Sequence, residues 1–161
     1  MIAIVMGVVG SGKTTIGTLL ATELGWQFAD ADDFHPHSNV EKIRHGIPLS
    51  DTDRQPWLDR LRAEINRWIA ADSNVVLACS ALKGSYREEL EVGPEVRFVY
   101  LKGSASLVAE RLRSRSGHFA DEKILASQFD DLEEPEKSVT VEITGTPEQI
   151  VGEIRQKLGL A

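Results

Sequence analysis

The chain has 161 residues, of which 42% are apolar and 27% charged, enough for one soluble domain with a real hydrophobic core. Its formal net charge of −7 and pI near 5.1 disfavour a nucleic-acid partner, because a binder of that kind carries a basic patch. A single cysteine, Cys79, excludes an intramolecular disulfide framework and suits a reducing cytosol, and no apolar run approaches the roughly 18 residues of a membrane span.

The first residues, MIAIVMG, run straight into an apolar strand at 2–6 with no basic n-region or cleavable segment, so a cytoplasmic protein without a membrane partner is expected. That strand leads into GVVGSGKT, residues 7–14, and then into a helix at 15–24 whose Ile16, Leu19, Leu20 and Leu24 recur at helical spacing. Gly-x4-Gly-Lys-Thr between a strand and a helix is a phosphate-binding loop. Gly7, Gly10 and Gly12 let successive N–H groups turn inward around an anion, and the helix N-terminus adds partial positive charge. Lys13 reaches the β- and γ-phosphates, and the Thr14 hydroxyl is a ligand for Mg²⁺. Gly7, Gly10, Ser11, Gly12, Lys13, Thr14 and Thr15 are the expected ATP contacts on this side. The competing reading, a glycine-rich turn that merely joins two elements, does not account for the whole pattern in this context.

A short strand ends near Phe28–Ala29, and the stretch FADADDFHPHSN at 28–39 follows. Three carboxylates and two imidazoles stand there within ten positions. A transition-metal cluster, a group that accepts a hydroxyl proton, and a plain polar loop are all conceivable. No further Cys or His stands at supporting spacing for the first. On an extended strand Asp30 and Asp32, two apart, face the same side and Asp33 the other, so Asp33 is given no role. A helix is expected around 39–45. Trp57, Leu58, Leu61, Ile65, Trp68 and Ile69 then mark a long helix whose tryptophans read as core. Strands at 75–80, 96–101 and 139–143 alternate with helices around 84–91, 104–114, 123–131 and 147–158. Thr146-Pro147 opens the last of these with a cap and a first-turn proline. The alternation implies a single α/β domain over 1–161 with a parallel sheet covered on both faces. RSRSGHFADE at 113–122 breaks the rhythm and suits a lid.

The loop does not say where the phosphate goes. A switch GTPase needs D-x-x-G and N-K-x-D elements, and neither occurs. Larger ATPases place an Asp at the end of an apolar strand, but 75–79 ends in Cys79-Ser80 and 96–101 in Leu101-Lys102. The acids at 30–33 are the nearest at a strand end, where a small kinase places its acceptor. Lys83 and Arg87 lie four apart, so one helical face presents both; the pair fits a bound carboxylate and also a solvated face with Glu88 and Glu91.

With the loop, D-x-D-x-x-H-P at 30–36, SDTDRQPWL at 50–58, C-S-A-L-K-x-x-Y-R at 79–87 and R-x-G-H-F at 115–119 complete a set whose order closely resembles the gluconokinases of the small P-loop kinases, relatives of shikimate kinase and the nucleoside monophosphate kinases. The resemblance covers residues 2 to about 135 and implies phosphorylation of D-gluconate on its 6-hydroxyl with ATP and Mg²⁺. It implies a three-layer sandwich with five parallel strands in order 2-3-1-4-5, an acceptor region at about 33–72 and a lid at about 113–123. Lys13, Asp32 and Arg115 become the expected catalytic residues, with Asp30 serving Mg²⁺ beside Thr14. Asp32, His35, Asn39, Arg54, Lys83, Arg87 and His118 are the expected acceptor contacts. Arg111 and Pro147 flank the adenine, and Arg115 meets the phosphates. A homodimer is compatible with the resemblance. The nearest rival is a kinase of the same fold for another small sugar acid or a shikimate-like acceptor; a nucleotide-binding module without transfer activity is the second.

Overall fold

The computed structural model describes residues 1–115 and 119–160, with side chains at all of them except 115 and 119–122. Strand β1 (Ile2–Met6) is buried along its whole length and occupies the middle of a five-stranded sheet. It is flanked by β3 (Val75–Ala78) and β4 (Val96–Lys102), with β2 (Gln27–Asp30) and β5 (Val139–Glu142) at the edges. All four pairings are parallel, in the order β2-β3-β1-β4-β5 expected from the resemblance. Parallel strands need crossovers, and the helices that supply them cover both faces.

The alternation of β1 divides the core. Ala3 and Val5 face one apolar cluster with Ile16 and Leu20 of α1 (Lys13–Leu24) and Ile150, Val151 and Ile154 of α7 (Pro147–Leu158). Ile2, Ile4 and Met6 face the other, with Trp57, Leu58, Leu61, Ile65 and Trp68 of α3 (Asp51–Ala70) and Leu90 of α4 (Gly84–Leu90). The tryptophan stripe is therefore core. Helix α3, which follows the short α2 (His37–Arg44), starts on a reciprocal cap, in which Ser50 Oγ accepts from Asp53 N–H and the Asp53 carboxylate accepts from Ser50 N–H. Helix α7 starts on the same device between Thr146 and Gln149, with Pro147 in its first turn.

Two expectations shift. Helix α1 starts at Lys13 rather than 15, so the last residues of the phosphate loop form its first turn. Helix α5 (Ala105–Arg115) and helix α6 (Phe119–Asp131) extend well into the 113–123 segment expected as a lid. Residues 116–118, including His118, and the Arg115 side chain lie outside the described residues. Among the described residues, no helix is long and apolar enough to cross a membrane.

Candidate active site

Strands β1, β2 and β3 all end at one edge of the sheet, beside the point where the chain order reverses around β1. In open parallel sheets that crevice is where ligands bind. Here it holds a cavity of about 260 Å³. Gly10, Gly12, Lys13, Thr14 and Thr15 line one side, and Asp30, Asp32, His35 and Arg54 line the other.

On the first side two glycines and the opening residues of α1 form the surface. Gly12, at φ +97° and ψ +18°, caps α1 in the left-handed region, and no side chain caps the helix. Its first N–H groups and its positive end thus face the cavity. Gly7, at φ +156°, lies so close to Ser11 that an added Cβ would stand 2.7 Å from Ser11 Oγ and 3.1 Å from Leu101 O. Only glycine fits that approach. Ser11 is 1% exposed and lies behind the surface rather than on it. Lys13 Nζ donates to Val8 O at 3.0 Å, which folds the ammonium back over the loop.

On the second side the Asp30–Asp32 geometry has a different cause from the one expected. Strand β2 stops at Asp30, and Ala31–Phe34 form a 3₁₀ turn. Asp30 Oδ1 caps that turn by accepting from Asp32 N–H at 2.9 Å. Both carboxylates reach the cavity because a capped turn folds Asp32 back, not because strand residues alternate; Asp33 is absent from the lining. Asp30 Oδ2 stands 3.4 Å from Thr14 Oγ1, which links the two sides. Asp32 is open to the cavity yet ringed by protein on its other sides. This desolvation, reinforced by the Asp30 charge and opposed by Lys13, pushes its pKa above the ordinary 3.8.

Helix α3 fixes the rest of that second side. Buried Trp57 donates from Nε1 to Ala31 O at 2.7 Å, pinning the 3₁₀ turn, and stacks on His35 with ring centroids 4.5 Å apart. His35 Nδ1 accepts from Asn39 Nδ2 at 3.1 Å, and the same amide donates to Asp53 O at 2.7 Å. Burial and the nearby Arg54 charge depress the His35 pKa to about 4, so its imidazole is neutral at pH 7 and keeps Nε2–H as a donor. Asn39, 2% exposed and outside the lining, meets it only through its bond to His35. Arg54 donates to Tyr86 Oη at 2.9 Å and to Asp131 Oδ2 at 3.1 Å, and Tyr86 in turn donates to Asp51. Cys79 also borders the cavity, but burial pushes its thiol up to about 12, so it is no nucleophile at neutral pH.

The structure does not bring Lys83 and Arg87 to this cavity. Lys83 precedes α4 and pairs with Asp51 at 2.9 Å. The Arg87 guanidinium donates to the carbonyls of Ala81, Leu82 and Glu133 at 2.8 to 3.0 Å. Arg87 was expected as a carboxylate ligand; here its guanidinium is bound to backbone, and among the described residues Arg54 is the arginine that lines the cavity. Arg87→Ala is expected to act on stability. Three carbonyls lose their charged donor, at a cost of about 1.5–3 kcal/mol, and thermal melting should show a fall of several degrees with every substrate KM little changed. A large KM rise at unchanged melting temperature would return Arg87 to the acceptor site. On the opposite flank, Arg111 Nη2 donates to Ile143 O at 2.6 Å, which sets it beside the loop that leads to Pro147 of α7; neither residue lines the cavity.

Helix α6 supplies what the sequence did not signal. Ile124, Ser127 and Gln128 line the cavity, and Gln128 Oε1 accepts from Val9 N–H at 2.6 Å. Ile43 and Ile47, 43% and 49% exposed, also border it, with Pro48 and Leu49. Polar positions on an amphipathic helix read as a solvated face, and two isolated isoleucines near a helix end carry no signal of their own. Among the described residues, no three His, Cys, Asp or Glu side chains are grouped to hold a metal ion.

Comparison with known proteins places this geometry among relatives. The model of the shikimate kinase family matches residues 9–158. A probable gluconokinase of Xenopus tropicalis is 44% identical over 96% of this chain and 91% of its own length. The gluconokinase of Gluconobacter oxydans is 47% identical over 82% of this chain and 75% of its own. The crystal structure of a gluconokinase from Sinorhizobium meliloti superposes with a TM-score of 0.87 at 40% identity, covering 98% of this chain and 90% of that one. Shikimate kinase from Aquifex aeolicus, at 20% identity and a TM-score of 0.60, shares the fold.

Proposed function

The chain belongs to the gluconokinases of the shikimate kinase family, and from that membership we propose that it transfers the γ-phosphoryl group of ATP to the 6-hydroxyl of D-gluconate. The observation that carries this reading is the single cavity shared by the phosphate loop and by Asp32, His35 and Arg54. Donor and acceptor meet there without a covalent intermediate.

Phosphoryl transfer asks the protein mainly to orient the reactants and neutralise charge. The loop N–H groups and the N-terminus of α1 hold the phosphates, and Lys13 neutralises the β- and γ-oxygens. Asp32 accepts a hydrogen bond from the 6-hydroxyl, orients it, and takes its proton late. Neutral His35 offers Nε2–H to a hydroxyl of the polyol chain. Arg54 holds the carboxylate with the N–H groups that Tyr86 and Asp131 leave available. Thr14 Oγ1 and Asp30 Oδ2, 3.4 Å apart, are hard oxygen donors that fit Mg²⁺, Asp30 acting through the ion's water shell. Held there, Mg²⁺ would supply positive charge to offset that of the phosphates. Arg111 and Pro147 are assigned to the adenine and Arg115 to the phosphates, as in the sequence reading.

A coupled ADP-release assay across gluconate, shikimate, glycerate and nucleoside monophosphates tests the reading; turnover confined to gluconate is expected, and preference for another acceptor would overturn it. Arg54→Ala should raise the gluconate KM by roughly 30-fold or more, because a desolvated charge pair is lost. Sorbitol, which has no carboxylate, should be a poor substrate for the parent and lose little more in the variant. Equal losses for both would remove the carboxylate role of Arg54.

A further inference from the structure

We propose that Gln128 and Asp131, one turn apart on α6, are positioning residues that fix the phosphate-loop lysine and the acceptor arginine from a single helix. The inference rests on the reading of Lys13 and Arg54 given above and extends it to two residues that touch neither substrate in that reading.

The donor half follows from one peptide unit. The carbonyl of Val8 and the N–H of Val9 belong to the same rigid plane. Val8 O accepts from Lys13 Nζ at 3.0 Å and from Ser11 N–H at 3.1 Å. Val9 N–H, at the other end of that plane, donates to Gln128 Oε1 at 2.6 Å. Gln128 therefore sets the tilt of the peptide on which Lys13 rests. Without an acceptor there, the plane can rotate about the flanking bonds, and the seat of the ammonium rotates with it. Gly10, next in the chain at φ +80°, offers little resistance to such a change.

The acceptor half follows from Arg54. Its side chain is 12% exposed, and that of Asp131 is 25% exposed, so their contact at 3.1 Å is well shielded from solvent. Asp131 and Tyr86 together engage both terminal nitrogens of the guanidinium. A planar group held at two points keeps one orientation, which is what recognition of a carboxylate by parallel hydrogen bonds demands. Residues three apart share a helix face, so the same face of α6 reaches both halves of the cavity.

Steady-state kinetics on the full chain separates the two arms. Gln128→Ala, and Gln128→Met as a variant of similar length without a strong acceptor, should lower kcat/KM for MgATP about 10-fold and leave the gluconate KM unchanged. Asp131→Asn should raise the gluconate KM about 10-fold and leave the MgATP KM unchanged, and Asp131→Glu should recover part of the loss. On an Arg54→Ala background, Asp131→Asn should add nothing, because its partner is gone. A general packing defect would move both substrates together in every variant, and that result would overturn the proposal. So would a fall in gluconate KM in Asp131→Asn, which would mark the aspartate as a competitor for Arg54, or an additive loss on the Arg54→Ala background. An unchanged gluconate KM in Arg54→Ala alone would instead refute the acceptor reading, with the Gln128 arm still decided by its own MgATP measurement.

Discussion

Asp32→Asn is expected to lower kcat by roughly 10²–10⁴-fold while MgATP still binds, since a positioned proton acceptor supplies about that factor. The carboxylate is open to the cavity beside Asp30 and Lys13, and the 3₁₀ turn that carries it is held by the Asp30 cap and by Trp57 Nε1. Asparagine preserves shape and the turn's backbone bonds but cannot take the proton. The neighbouring Asp33→Asn should stay within a few-fold of parent, because Asp33 does not line the cavity. A dead Asp33→Asn beside an active Asp32→Asn would invert the assignment. The raised pKa of Asp32 adds a sign. Its proton-accepting form is lost as pH falls through a value above the ordinary 3.8, so the acidic limb of kcat/KM should lie higher than for a solvated aspartate. In Asp32→Asn that limb should disappear from the residual activity.

Lys13→Ala should reduce turnover on the order of 10²–10³-fold with the fold intact. The lysine stands in the first turn of α1, is only partly buried, and contributes nothing to either apolar cluster. What it supplies is a positive charge close to the loop, seated on Val8 O, for the β- and γ-oxygens of a triphosphate. Circular dichroism and thermal melting should match the parent while ADP release collapses. Near-normal kcat in a folded variant would remove the phosphate-loop assignment. The two substitutions also differ in kind. Lys13→Ala should weaken MgATP binding as well as turnover, whereas Asp32→Asn should leave MgATP binding intact and act chiefly on turnover, because the proton is taken as the bond to phosphorus forms.

Much of this was legible along the chain. The buried strand at 2–6, the glycine pattern that follows it and the period of α3 each express a local constraint: apolar runs must be covered, a loop around an anion must have positive φ, and a helix with one apolar face must pack it. These constraints repeat at short range, so sequence alone determined the α/β class, the phosphate loop and the edge of the sheet that carries the acids. The tertiary structure decided which polar groups converge there. Arg54 and Arg87 are chemically alike, but only packing shows that one faces the cavity while the other is bound to the backbone of Ala81, Leu82 and Glu133. Asp32 reaches its place through a capped turn rather than an extended strand. Gln128 and Asp131 contact residues 119 and 77 positions away, and no local pattern encodes such partners. Apolar periodicity is written in neighbours three and four apart, whereas the direction of a hydrogen bond depends on where a distant helix comes to rest.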